Sequence, residues 1–213
     1  MSTTEPRAAH PSWLAGVVPL ATVADEAAAD AIADGLVAGG LPVLEVALRN
    51  DFGLAAIARI AARGDVAVGA GTVLSPEQLQ RSLDAGARFI VAPGLDEQVV
   101  EAALAAGVPV LPGVQTASEV QRGLRLGLDR LKLFPAAVAG GLELLGAFAP
   151  VFPAVRFMPS GGVGPANLRD YLAHPAVFAA SGSWIASAER VAAGPEAIAA
   201  AAREAAEIAE AAA

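Results

Sequence analysis

Short apolar segments, rich in β-branched residues, recur along the whole chain at a nearly constant spacing. Successive segments begin about 19 to 26 positions apart, which is the combined length of one strand and one helix. Between them lie alanine-rich stretches in which apolar residues keep helical spacing, as Ile32 and Leu36 do. The repeat predicts eight strand–helix units, with the strands at residues 17–20, 43–48, 66–68, 89–91, 108–111, 131–134, 155–158 and 177–180.

The predicted strands are apolar almost throughout and do not alternate between apolar and polar residues. Strands of this kind are buried on both faces, as they are in parallel sheets covered by helices. Eight such units in succession predict an α/β protein with a (β/α)8 barrel, the TIM-barrel architecture. An open, doubly wound parallel sheet has the same alternation of strands and helices and is the competing architecture.

The chain of 213 residues is long enough for one large hydrophobic core, and no low-complexity linker divides it. We therefore expect a single domain, with a barrel at residues 13–213 preceded by a flexible N-terminal tail at residues 1–12. Ser75 and Pro76 predict the start of a helix, as its cap and its first-turn proline. The alanine-rich segment 195–213 predicts the last outer helix.

The net charge and the composition of the chain limit the kinds of molecule that it can bind. A formal net charge of -8 argues against a nucleic-acid surface, because no basic stripe is available to displace phosphate counterions. The chain has no cysteine, and its two histidines, His10 and His174, lack metal-ligand spacing, so we expect no metal site. The uncharged windows 102–118 and 171–188 are broken by prolines and polar residues, so we expect no membrane span and a cytoplasmic location.

Residues 130–135, RLKLFP, place an ammonium group inside an apolar strand. Burying an unpaired charge costs roughly several kcal/mol, so Lys132 either has a partner or extends to water from the strand end. Glu45 lies in another predicted strand, and Arg49 follows the end of that strand four positions later, so a continued two-residue strand period directs both to one face. If that face is interior, both share a cavity with Lys132 at the C-terminal end of the barrel, where the catalytic residues of this fold lie.

These residue types suit a reaction of a keto acid. A partly neutral lysine can attack a ketone and form a Schiff base, and a nearby carboxylate can transfer protons. An arginine can hold a substrate carboxylate with two hydrogen bonds. The alternative interpretation is a buried cluster of ion pairs that performs no chemistry.

Two glycine-rich loops follow the last two predicted strands, at residues 160–165 (SGGVGP) and 181–184 (SGSW). Loops in these positions, next to a helix N-terminus, commonly bind phosphate in (β/α)8 barrels through backbone N–H groups. The alternative is that the glycines only permit tight turns. The occurrence of both loops at the expected positions favours a phosphorylated ligand.

Taken together, the chain resembles the family of 2-keto-3-deoxy-6-phosphogluconate (KDPG) and 4-hydroxy-2-oxoglutarate (KHG) aldolases. The resemblance rests on seven segments in the family's order: residues 43–49 (VLEVALR), 69–74 (GAGTVL), 92–94 (APG), 111–113 (LPG), 131–135 (LKLFP), 159–162 (PSGG) and 182–184 (GSW). They extend across nearly the whole predicted barrel.

The resemblance implies a (β/α)8 barrel, a homotrimer, and a class I aldolase that uses neither a metal nor an organic cofactor. Its substrates would be small molecules, a 2-keto acid and an aldehyde phosphate. The implied roles are Lys132 as the Schiff-base lysine, Glu45 as the proton-transfer residue, Arg49 and Thr72 as ligands of the substrate carboxylate, Gly161, Gly162 and Ser183 as the phosphate site, and Pro93, Phe134 and Ser160 as pocket residues.

Two residues depart from the family's pattern. Ser160 stands where many members have threonine, and Ser181 stands where glycine is frequent. Both are expected beside the distal end of the substrate, so they bear on stereochemistry and phosphate preference.

The resulting hypothesis is cleavage of KDPG to pyruvate and glyceraldehyde 3-phosphate. The alternatives are KHG or the galactonate epimer of KDPG as the substrate, an isomerase or epimerase of phosphosugars, and a barrel that binds phosphorylated ligands without catalysis.

Overall fold

The structure, a computed structural model, describes residues 11–212, which form alternating strands and helices. The predicted tail at residues 1–12 lies outside this range except for its last two residues. The strands are β1 (Gly16–Ala21), β2 (Val43–Ala47), β3 (Ala67–Gly71), β4 (Ile90–Val91), β5 (Val110–Leu111), β6 (Gly113–Val114), β7 (Arg130–Leu133), β8 (Arg156–Pro159) and β9 (Ala179–Gly182). The helices are α1 (Glu26–Ala38), α2 (Gly53–Arg63), α3 (Pro76–Asp84), α4 (Glu97–Ala105), α5 (Ala117–Arg125), α6 (Gly141–Phe148), α7 (Pro165–Leu172), α8 (Ala188–Ala193) and α9 (Pro195–Glu210).

Each predicted strand overlaps an observed one, but the fifth is followed at once by a further short strand. The strands β5 and β6 lie on either side of Pro112, which has no N–H to donate to a ladder. β5 pairs with β4, whereas β6 pairs with β7. The Pro112 carbonyl accepts a hydrogen bond from the Lys132 amide at 2.9 Å, so the interruption lies directly beside the strand that carries this lysine.

All strand pairs are parallel, in two sheets. One sheet has the order β5-β4-β3-β2-β1-β9 and the other has β6-β7-β8. Isolated bridges between Phe157 and Val177 and between Ser160 and Ser181 connect β8 with the chain around β9. From β1 to β5 the spatial order follows the chain without a reversal, unlike the order of a doubly wound sheet. The α/β class is as predicted, and the doubly wound alternative is wrong.

The strands are buried on both faces, as their composition predicts. Val17 packs in the large core between the strands and the helices, whereas its neighbour Val18 packs in a smaller cluster on the opposite face. Phe89 belongs to that smaller cluster, and its ring fills the space that the missing side chain of Gly69 leaves. The Trp13 ring lies 5.8 Å from the Phe89 ring, with the Arg88 guanidinium 4.7 Å from the Trp13 centroid.

Local signals set the helix ends. The Ser75 hydroxyl accepts a hydrogen bond from the Gln78 amide at 3.2 Å, and Pro76 is the first residue of α3, as predicted. The last helix spans Pro195–Glu210, within the segment predicted for it. Within residues 11–212, no helix combines the length and the apolar character needed to cross a bilayer.

Candidate active site

Lys132 lies in the middle of β7, between the fully buried Leu131 and Leu133. It is only 4% exposed, and its Nζ lies 3.4 Å from Oε1 of Glu45. The interpretation in which Lys132 extends to water is therefore wrong. Lys132 is also the only lysine in the chain.

Glu45 lies at the centre of β2 and is fully buried. Its Oε1 faces Lys132, and its Oε2 accepts a hydrogen bond from the Ser181 hydroxyl at 3.4 Å. Both distances exceed those of strong hydrogen bonds, which are about 2.5–3.2 Å. The carboxylate is thus located between two partners without being tightly held by either.

Gly71, the last residue of β3, leaves the space that the Glu45 carboxylate occupies. A Cβ atom at this position would overlap Oε1 of Glu45. The sequence does not predict a role for Gly71, because the clash arises only when β2 and β3 lie side by side. The signal in the sequence was a residue without a side chain, within the motif at residues 69–74.

A cavity of about 230 Å³ lies next to the buried pair, where β7, β8 and β9 end. The Phe134 ring, whose centroid is 5.0 Å from Lys132 Nζ, forms part of its wall, and so does Ser181, which contacts Glu45. The complete lining is Leu20, Arg49, Phe134, Ser160, Gly161, Gly162, Val163, Ser181, Gly182 and Ser183. The buried pair and the two glycine loops therefore lie beside the same cavity.

Arg49 reaches this cavity, but not in the way the strand period predicts. β2 ends at Ala47, and Arg49 is exposed in the turn that follows. Its amide donates to the Ala47 carbonyl at 2.9 Å, after the last bond to β3, which the Leu48 amide makes to the Gly71 carbonyl. Arg49 thus contributes to the rim of the cavity and does not share the interior with Lys132. It also lines a second cavity of about 430 Å³ on the side of α2 and α3.

The glycine loop after β8 has a conformation that its residues require. Gly161 and Gly162 have φ angles of 88° and 81°, in the left-handed region that favours glycine. Asn167, in α7, fixes the loop: its Nδ2 donates to the Gly162 carbonyl, and its Oδ1 accepts from the Gly164 amide, each at 2.9 Å. Ser183 follows β9 and lines the same cavity, so the three residues predicted to bind phosphate come together.

Besides the buried Lys132 and Glu45, two predicted residues do not line this cavity. Pro93 is half-buried after β4, and Thr72 is half-buried directly after β3. Thr72 has a φ of 62°, a conformation that costs a residue other than glycine roughly 1–2 kcal/mol. Backbone strain of this kind is concentrated at functional sites. The strain is therefore consistent with the prediction that Thr72 binds the substrate carboxylate.

Ser181 lines the cavity beside the two glycine loops and also has a contact that the sequence did not predict. Its side chain is fully buried, and its hydroxyl donates a hydrogen bond to the Glu45 carboxylate. The strand register explains this position, because β9 pairs with β1, whose other neighbour is β2 with Glu45. Within residues 11–212, no three histidine, aspartate or glutamate side chains form a group suited to a metal ion.

Comparison of this chain with known proteins identifies the family to which it belongs. The family model of KDPG and KHG aldolase matches residues 12–200. The chain belongs to this aldolase family. The resemblance carried by the seven motifs is thereby confirmed, and membership of an aldolase family makes the chain a lyase.

Similar members of the KDPG and KHG aldolase family cover most of the chain. The KHG/KDPG aldolase of Escherichia coli (strain K12) is 45% identical over 179 residues, 84% of either chain. The crystal structure of the KDPG aldolase of Zymomonas mobilis ZM4 with 3-phosphoglycerate has a TM-score of 0.85 and 44% identity, covering 91% of this chain and 92% of that one. The KDPG aldolase of Legionella pneumophila, with pyruvate captured at low pH as a covalent carbinolamine intermediate, has a TM-score of 0.87 and 36% identity, covering 90% and 94%.

Proposed function

We propose that this protein is a class I aldolase that cleaves KDPG to pyruvate and glyceraldehyde 3-phosphate through an imine on Lys132. The observation that carries the proposal is the buried Lys132–Glu45 pair, with 3.4 Å between Nζ and Oε1, beside a cavity that two glycine loops line. A buried ion pair without chemistry would need neither the cavity nor the loops. The pyruvate carbinolamine of the Legionella pneumophila relative supports covalent chemistry.

Lys132 and Glu45 divide the chemistry between them. Glu45 takes a proton from the Lys132 ammonium, and the free amine attacks C2 of the substrate. Glu45 returns this proton to the C2 hydroxyl of the carbinolamine, which leaves as water and gives the iminium. Glu45 then removes the C4 hydroxyl proton through a water molecule, the C4–O bond becomes the aldehyde, and the electron pair of the C3–C4 bond moves into the iminium as an enamine. Protonation at C3 and hydrolysis release pyruvate and restore the lysine.

The remaining site residues bind the two charged ends of the substrate. Arg49 and Thr72 hold the carboxylate, and Arg49 does so from the rim of the cavity. Backbone N–H groups of Gly161 and Gly162, together with the Ser183 hydroxyl, hold the phosphate. Pro93, Phe134 and Ser160 complete the pocket.

We infer that the two sheets close into a (β/α)8 barrel within one domain at residues 13–213. The bridges at Phe157–Val177 and Ser160–Ser181 support closure on one side, and the single residue between β5 and β6 supports it on the other. We further propose a cytoplasmic homotrimer, in line with the family resemblance. Light scattering on the purified protein tests the subunit number.

The decisive experiment is reductive trapping with pyruvate and borohydride. Because Lys132 is the only lysine, a reduced adduct on a side-chain amine can form only there. We expect one carboxyethyl group per chain, on the peptide that contains Lys132, with or without EDTA. The variant Lys132→Arg keeps the positive charge but cannot form an imine, so it should remain unlabelled and inactive. Wild-type protein that stays unlabelled would refute the proposal.

A substrate panel separates this function from the KHG alternative. The E. coli relative is named for both substrates, whereas the loop residues Gly161, Gly162 and Ser183 favour the phosphorylated one. We expect kcat/KM to be higher for KDPG than for KHG or for the galactonate epimer of KDPG. A higher value for KHG would reassign the substrate and leave the imine chemistry in place.

A further inference from the structure

Glu45 has a second buried partner besides Lys132. Ser181 lies in β9 and is fully buried, and its hydroxyl donates to Oε2 at 3.4 Å while Lys132 faces Oε1 at the same distance. The two partners belong to different sheets, β9 to the six-stranded one and β7 to the three-stranded one. Each carboxylate oxygen thus has a different neighbour.

The position of the Ser181 hydroxyl is set by the backbone on both sides. Ser181 pairs in register with Val18 of β1 and forms a bridge with Ser160 at the end of β8. The terminal torsion of a glutamate side chain is broad, so packing and hydrogen bonds must choose the orientation of the carboxylate. A hydroxyl at Oε2 and the open space above Gly71 at Oε1 favour the orientation in which Oε1 faces Lys132.

We propose that Ser181 is a positioning residue for proton transfer by Glu45, an inference that rests on the aldolase function proposed above. Ser181 acts by orienting the Glu45 carboxylate and takes no part in imine formation at Lys132. Because its contact is long, its loss should slow proton transfer by about tenfold and should not abolish it.

Proton transfer can be measured without the aldehyde half of the substrate. Pyruvate condenses with the Lys132 amine and loses water to give the iminium. Glu45 removes a proton from the methyl carbon, and the C–H electron pair becomes the enamine double bond as the iminium nitrogen recovers its lone pair. In D2O a deuteron then returns to that carbon, and hydrolysis releases deuterated pyruvate. The exchange rate therefore reports the proton-transfer step.

The test compares full-length wild type with Ser181→Ala, using pyruvate in D2O and proton NMR for exchange and borohydride for imine formation. We expect exchange to slow by about tenfold in the variant, with trapping unchanged, and kcat for cleavage to fall while KM stays the same. Ser181→Cys keeps a weak donor and should give an intermediate exchange rate. Ser82→Ala is the matched control, since Ser82 is equally buried but donates to the Gln78 carbonyl at 2.7 Å in α3.

The possible failures are distinct. Equal exchange rates in wild type and Ser181→Ala, with normal trapping in both, would overturn the role of Ser181 and leave the aldolase function intact. If Ser181→Ala lost borohydride trapping and deuterium exchange to the same extent, Ser181 would be needed for the structure of the whole site. That result would also overturn the proposal. Wild type that neither traps nor exchanges pyruvate would refute the aldolase function itself.

Discussion

Lys132 and Glu45 each depend on the other to remain buried. Lys132 is 4% exposed and Glu45 is not exposed, and removing one partner of such a pair commonly costs about 3–5 kcal/mol because the other charge is left uncompensated. The pair therefore has a structural role in addition to the catalytic role that we propose for it. A variant that removes only one of the two charges would lower both stability and activity, so its effect on activity alone could not be separated. Substitution of a neighbour such as Gly71 is a better test of where the Glu45 carboxylate must lie.

Gly71→Ala tests whether the carboxylate must lie where it does. The new methyl group would overlap Oε1 of Glu45 and displace it from Lys132, and displacements of about 1 Å commonly cost roughly 100-fold in rate. We expect kcat/KM to fall by about that factor in steady-state assays. Gly146→Ala in α6 is the matched control, because its Cβ would meet no atom within 4 Å, and it should leave activity unchanged. Full activity in Gly71→Ala would show that the carboxylate position is uncritical.

The sequence predicted that Lys132 and Glu45 lie together, but it did not predict the residues that surround the Glu45 carboxylate. Lys132 and Glu45 stand out because a charge in an apolar strand is costly. Gly71 and Ser181 act on Glu45 from β3 and β9, so their roles depend on strand register, which no local pattern contains. The position of Arg49 was predicted for the wrong reason, because the strand period stops where β2 stops.

Helices α1, α3, α4, α5 and α8 each begin after a residue whose side chain accepts a hydrogen bond from the first turn, a type of signal that the sequence contains. Thr116 and Glu119 form a capping box at the start of α5: Thr116 Oγ1 accepts from the Glu119 amide at 3.3 Å, and Glu119 Oε2 accepts from the Thr116 amide at 2.8 Å. The Gln115 amide donates to the same oxygen at 2.8 Å. The division of one predicted strand into β5 and β6 was not foreseen, since it depends on which neighbour each side of Pro112 meets.

The capping box should make stability depend on pH. Partial burial alone would raise the pKa of Glu119, but hydrogen bonds from Gln115 and Thr116 outweigh it and hold the pKa below its ordinary value of 4.5. A lowered folded-state pKa gives stability that is present above about pH 4.5 and is lost as the pH falls through the folded value. Urea unfolding should show Glu119→Ala less stable by about 1 kcal/mol at pH 7, with a smaller difference at pH 3.

The control for this variant is Glu101→Ala, at an exposed position in α4. It should change the unfolding free energy by less than Glu119→Ala does at pH 7. An equal loss in both variants would mean that the capping contacts contribute nothing specific.

At the scale of the whole molecule, the site lies across the division between the two sheets. Lys132 belongs to the three-stranded sheet, whereas Glu45 and Ser181 belong to the six-stranded one. The strand–helix repeat predicted the parallel α/β class and the chain order of the strands. It could not predict the division into two sheets, because that division depends on two isolated bridges near β9 and on the interruption at Pro112 between β5 and β6.

This division has a consequence for the dynamics of the protein. A pyruvyl group bonded to Lys132 and contacted by Glu45 would add a contact between the two sheets. Amide hydrogen exchange in β7 and around β9 should therefore slow when pyruvate is present, and Lys132→Arg should show no such effect. Protection confined to the glycine loops would contradict this coupling. If the coupling holds, the lifetime of the imine governs local opening of the molecule, and a resting enzyme opens more often than a working one.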